Sequence, residues 1–217
     1  MMNKFVAMNS ALAIAALAFG LGAAGCNEAD DVINGAGEVF DGARAANLQH
    51  RFQEEKCGEP LGLAVIGASK RVIFEFDGRA ASRNQQYYSE GDCKGDVAID
   101  VYYKGQYSKG DDVQENVSKI DLTFGTVVVV PRNEEGVKAL NAFNLCGISD
   151  WAIGQERDVT SASRDAKCPV DGTPQNVFDI YSVQDNVLVF GKGGAEDKDT
   201  AEKRATELDR ETTYRQL

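Results

Sequence analysis

Between Val97 and Tyr107 the chain alternates in character, with Val97, Ile99, Val101, Tyr103 and Tyr107 on one side and Ala98, Asp100, Tyr102, Lys104 and Gln106 on the other. A period of two sends successive side chains to opposite faces of an extended chain, so this stretch is a strand with one apolar face and one mostly wet face. Such a strand needs partners. Val72, Phe74 and Phe76 alternate with Arg71, Ile73 and Glu75 and stop at Asp77-Gly78. Ile120, Leu122 and Phe124 alternate with Asp121 and Thr123; Gly125 then marks a bulge, and the run Val127–Val130 ends at Pro131. Four consecutive valines require cover on both faces. Val177–Val183 and Leu188–Phe190 flank Asp185-Asn186, a fair two-residue hairpin turn that pairs the two segments. Leu48–Glu54 and Arg83–Ser89 read as further strands.

One segment departs from this pattern. From Asn133 to Leu145 a capping Asn precedes Glu134 and Glu135, Val137, Leu140, Asn141 and Leu145 share one side, and Gly147 closes the run. This is a helix of about three turns. Trp151 follows in a segment of unassigned type. Residues 193–217 carry charges of both signs and few apolar side chains, and read as a surface-hugging or frayed tail, part-helical from Thr200 to Asp209. The expected fold is mainly β, an antiparallel meander closing into a small barrel or sandwich with one short helix. A barrel would remove the exposed edges that so strand-rich a chain must otherwise guard.

Composition narrows the function. The chain has 217 residues, 43% of them hydrophobic, enough to bury a real core. Its net charge of −11 and lack of a basic cluster argue against nucleic acid, which is bound by Lys and Arg displacing counterions from phosphates. His50 is the single histidine, and no local motif supplies it with a nucleophile and an orienting carboxylate. Paired acids at Asp111-Asp112 and Glu134-Glu135 are adjacent rather than opposed across a cleft. The acids near Asp92 and Asp96, and Glu196-Asp197-Lys198-Asp199, lack the spacing of a calcium loop. The expectation is therefore no enzyme, no cofactor and no metal.

The N-terminus carries an address. Lys4 is the only charge before Ala11–Leu21, an unbroken run of Ala, Leu, Ile, Phe and Gly, and Gly22-Ala23-Ala24-Gly25-Cys26 follows. This is the layout of a secretory signal peptide. Small residues leading into a cysteine resemble the lipobox of bacterial lipoproteins. The resemblance implies cleavage before Cys26, lipidation of its sulfur, and a membrane partner reached through that N-terminal lipid. Asn27 in the next position favours the outer membrane. Residues 26–46, with Glu28, Asp30, Asp31, Glu38 and Asp41, then form an acidic tether. Four cysteines remain: Cys57, Cys93, Cys146 and Cys168. An even count in an exported chain reads as two disulfides. Three pairings exist, and the one expected joins nearest sequence neighbours, Cys57–Cys93 and Cys146–Cys168.

Three strings carry a second resemblance: Phe74-Glu75-Phe76-Asp77-Gly78, Tyr87 through Cys93, and Gly105-Gln106-Tyr107. Together they are similar to lipocalin-like barrels, the domain of the Wnt inhibitors down-regulated by adenomatosis polyposis coli among them. The likeness spans Leu48 to Gly191. It implies a barrel whose interior takes an apolar small molecule, and Phe52, Phe74, Phe76, Tyr103, Tyr107 and Trp151 are the candidate lining. The resulting division is a signal peptide over 1–25, the lipidated tether over 26–46, a barrel domain over 47–192 and a charged tail over 193–217. The expected role is a lipid-anchored binding module. The alternatives are an adhesive or structural surface lipoprotein with a filled core and a protein partner, or a hydrolase without a known motif.

Overall fold

Each alternating segment is a strand in the computed structural model, which describes residues 48–60, 67–162, 168, 170 and 175–217. The expected signal peptide, Cys26 and the expected tether lie outside the described residues. The strands are β1 (Arg51–Glu54), β2 (Ser69–Asp77), β3 (Ala80–Tyr88), β4 (Val97–Gln114), β5 (Val117–Pro131), β6 (Arg157–Asp158), β7 (Gln175–Gln184), β8 (Val187–Gly191) and β9 (Leu208–Gln216). Neighbours are all antiparallel, in the order β4-β3-β2-β1-β9-β8-β7-β5, and β5 returns to pair with β4. Eight strands thus close into a barrel, and β6 adds a short outer pairing at Val128 and Val129.

Turn chemistry and one bulge set the register. Asp185 and Asn186 both adopt left-handed backbone, with φ of 50° and 63°, which matches the twist of the β7–β8 hairpin they join. In β5, Lys104 pairs with Thr126 and Gly105 with Phe124, leaving Gly125 as the extra residue. The bulge resets the alternation, so Phe124, Val127 and Val129 are all buried in the core. Val128 and Val130 are buried on the other face, the two-sided cover that four valines demanded. Gly105 faces this bulge so closely that a Cβ there would run into the Thr123 carbonyl.

The single α-helix among the described residues, α1 (Glu134–Ala142), packs beside the start of β4 and the end of β5. Asn133 caps it, its Oδ1 accepting from the Gly136 amide at 2.9 Å. Gly136 sits against the Ala98 carbonyl with no room for a side chain, which sets how near the helix can approach. The helix is shorter than its pattern: Asn144 turns left-handed at φ 47°, and Leu145–Gly147 is a tight 3-10 turn. Trp151 lies in irregular chain bound to α1, its amide donating to Asn141 Oδ1 at 2.8 Å and its indole N–H to the Ile148 carbonyl at 3.0 Å.

Both expected disulfides are present. Cys57–Cys93 joins the chain after β1 to the turn after β3, with Cα atoms 5.7 Å apart. Cys146–Cys168 fastens the exit of α1, with Cα atoms 4.4 Å apart.

The C-terminal reading needs correcting. Residues 193–217 are not a tail, and Thr200–Asp209 is not helical beyond a 3-10 turn at Ala201–Lys203. Leu208–Gln216 is β9, hydrogen-bonded to β8 on one side and β1 on the other, and it completes the barrel. The barrel therefore runs well past residue 192. The reason is positional: β9 is held by backbone pairing on both edges, so it needs few apolar side chains, with Tyr214 reaching the core. No helix among the described residues is long and apolar enough to cross a membrane.

Candidate functional site

The inward faces of β2, β3, β5, β7, β8 and β9 leave a cavity of about 270 Å³, roofed by the segment from Gly193 to Lys198. Its apolar wall follows from strand parity. Val72 and Phe74 on β2, Leu122 and Phe124 on β5, Val177 on β7, Phe190 on β8 and Tyr214 on β9 all occupy inward positions. Three of the rings form one cluster: Phe74 and Phe190 have centroids 4.9 Å apart, Phe74 and Tyr214 5.2 Å, and Phe190 and Tyr214 5.8 Å. Burial raises the Tyr214 phenol above its ordinary range, with Glu54 adding to the shift, so the ring is neutral at physiological pH.

Five charged residues share the lining with these apolar groups: Lys70, Arg83, Asp179, Lys198 and Asp209. On β7, Asp179 takes an inward position between Val177 and Tyr181, where an unpaired carboxylate would be costly. Lys198 answers it at 2.6 Å, with side chains only 4% and 6% exposed. The ammonium also donates to the Gly191 carbonyl at 3.0 Å, while the Ile180 and Gly191 amides donate to Asp179 Oδ1 at 2.8 and 3.1 Å. Burial holds the Asp179 carboxyl above the usual range, against the opposing pull of Lys198 and the amides. Arg204 fastens the same segment from outside the pair, donating to the carbonyls of Ile120 and Asp179 at 3.1 and 2.8 Å and to Asp121 at 2.7 Å.

Arg83 on β3 is a further lining charge. Its guanidinium lies 4.2 Å from the centroid of Tyr103 and 5.4 Å from that of Phe124. One terminal nitrogen donates to Gln175 Oε1 at 2.9 Å, but the buried Nε has no hydrogen-bond partner. Gln85, next along the same face, accepts from the Tyr87 hydroxyl at 2.8 Å.

Of the six aromatic positions singled out in the sequence, only Phe74 lines this cavity. Phe52, Phe76 and Tyr107 form an adjoining packed row, Phe52 to Phe76 at 6.3 Å and Phe76 to Tyr107 at 5.1 Å. Tyr103 is fully buried beneath Arg83, and Trp151 belongs to the helix side. Phe52, Phe76, Tyr103 and Trp151 are core, and Tyr107 is half-buried against it. Phe124, Phe190, Tyr214, Arg83, Asp179 and Lys198 were not singled out. Parity along the alternating strands points to Phe124 and Phe190, and Asp179 stands out as an acid on the apolar side of β7.

Other polar clusters lie outside this cavity. Asp100 is buried on the outer face of β4, where it accepts from Asn84, Gln86, Tyr102 and Arg132. His50 is exposed, its ring edge-on to Phe52 at 6.5 Å, away from the cavity. Asp92 pairs with Lys94 and Asp199 with Lys203, and among the described residues no three His, Cys, Asp or Glu side chains are placed to hold a metal. Neither a protein-family model nor a curated protein matches this chain.

Proposed function

We propose that the protein is an exported, lipid-anchored binding module, without enzymatic activity, whose barrel holds a small apolar molecule. The observation that carries this reading is the 270 Å³ cavity walled by Phe74, Phe124, Phe190 and Tyr214. That volume lies between the roughly 150 Å³ of a cavity that takes benzene and the lower end of drug-sized sites, about 300 Å³. It suits a ligand of one or two rings and is too small for a phospholipid. The anchor rests on the leader and Cys26, and Asn27 favours the outer membrane. The two disulfides suit an oxidising compartment. A chain of net charge −11 is repelled by an anionic bilayer, so adsorption through the barrel would not substitute for the lipid.

The test is mass spectrometry of organic extracts from the soluble form beginning at Asn27, folded in an oxidising periplasm, beside an unrelated secreted β protein. A stoichiometric small molecule found only here supports the carrier reading. Clean extracts, together with no binding of small aromatic probes, favour the adhesive alternative and a protein partner. For the anchor, Cys26→Ser should abolish incorporation of labelled palmitate and release the protein from membranes. Retention of both would sink the lipoprotein reading.

A further inference from the structure

The charges around the cavity are not equally answered. Lys198 is matched by Asp179, Lys70 lies in the field of Glu54, and Asp209 accepts from the Glu211 amide. Arg83 differs. Among the described residues it has no ion pair, it is held on the face of Tyr103, and its buried Nε–H has no partner. A permanent cation lining a cavity without a counter-charge is costly, and the cost is relieved by an anion brought in beside it. Around it, the rings of Phe74, Phe190 and Tyr214 present faces and edges at 4.9–5.8 Å spacing, a frame suited to another ring.

We propose that the ligand is a compact aromatic monocarboxylate of one or two rings, its acid group received by the Arg83 guanidinium and its ring by Phe74, Phe190 and Tyr214. This rests on the preceding reading that the cavity takes a small apolar molecule, and it adds the chemistry of the head group. A carboxylate is favoured because it accepts from the guanidinium as a charged partner, which a neutral hydroxyl cannot do. A single charge is favoured because Arg83 is the one lining cation left unanswered among the described residues.

The experiment uses two probes of matched shape, 2-naphthoate and 2-naphthalenemethanol, titrated calorimetrically into the disulfide-bonded protein and into Arg83→Gln. A hydrogen bond to a charged group contributes about 1.5–3 kcal/mol, so naphthoate should bind about 10- to 100-fold more tightly than the alcohol. Arg83→Gln should erase that preference while leaving the alcohol's affinity within about twofold. In the unmutated protein the Arg83 Nε–H resonance should move on adding naphthoate and stay put on adding the alcohol, a readout that does not depend on the variant folding. Equal affinity for the two probes, or an unmoved Nε–H, overturns the acid-recognition proposal while the apolar-cavity reading stands. Binding of neither probe to natively folded protein overturns both.

Discussion

The two halves of the barrel interior are built differently from the same kind of strand. Around β1, β4 and the Phe76 end of β2 the inward side chains Phe52, Phe76, Ile99, Val101 and Tyr103 are each no more than 2% exposed, with Arg83 covering Tyr103. Around β7, β8 and β9 the inward positions include Asp179, Phe190 and Tyr214, with Lys198 brought in from a loop and a cavity left between them. One half follows the rule that interiors fill to crystal-like density. The other half gives up packing and keeps polar groups that need specific partners. The first half is therefore held by packing and the second by a buried ion pair, and substitutions can tell the two apart.

The largest effect should come from the packed half. Phe52→Ala removes a ring that is 0% exposed and should destabilise the fold by about 3–5 kcal/mol in denaturant titrations. A loss below 1 kcal/mol would mean that this half is not tightly packed. In the polar half, Lys198→Met leaves Asp179 buried and unpaired, and at pH 7 should cost a similar 3–5 kcal/mol. The two losses differ in their pH dependence. The Asp179 carboxyl already sits above its ordinary range, and removing Lys198 raises it further, so the folded variant takes up a proton more readily than the unfolded chain. The variant's deficit should shrink as pH falls through the raised pKa and be fully expressed above it. The Phe52→Ala deficit should show no such trend. A pH-independent Lys198→Met deficit would break the contrast.

Removing a disulfide tests a third source of stability, outside either half. The loops closed by Cys57–Cys93 and Cys146–Cys168 span 36 and 22 residues, and opening either should cost about 3–4 kcal/mol in the chain-entropy account. Equilibrium unfolding of each double Cys→Ala variant measures it, and a negligible loss would show that the denatured chain is already restricted there. The smallest effect is expected at the helix. Asn133→Ala removes the cap on the Gly136 amide and should cost about 1 kcal/mol, with naphthoate affinity unchanged because α1 lies on the packed side.

The same contrast accounts for what could be read from the sequence. β2, β4, β5 and the β7–β8 hairpin were legible because their inward faces are apolar and their outward faces are not. The capped helix was legible from Asn133, Glu134 and Glu135. The disulfide pairing followed from proximity along the chain. β3 begins at Ala80 rather than at the expected Arg83, and its polar residues are buried against partners, Asn84 on Asp100 of β4 and Gln85 on Tyr87 of the same strand. β9 was missed altogether. Leu208-Asp209-Arg210-Glu211-Thr212-Thr213 has no apolar period, and only pairing with β8 and β1 makes it a strand. The cavity inherits this blindness. Its aromatic cluster joins strands distant in sequence, and its cations come from a polar-looking strand and a loop, so no local motif could have assembled it. The aromatic stripe that was visible, Phe52, Phe76 and Tyr107, is visible because it is continuous core.

Closure by β1 and β9 has a consequence for how the chain is made. Arg215 reaches Glu55 across 160 positions, and the Leu217 amide donates to the Arg51 carbonyl. β1 therefore waits, with one edge unpaired, until nearly everything that follows it has been delivered. Pairings so distant along the chain form slowly, and an open edge invites association in the meantime. For a chain made from its N-terminus, the first strand out is among the last to be sealed. The interval between the two is when a chaperone would have the most to protect.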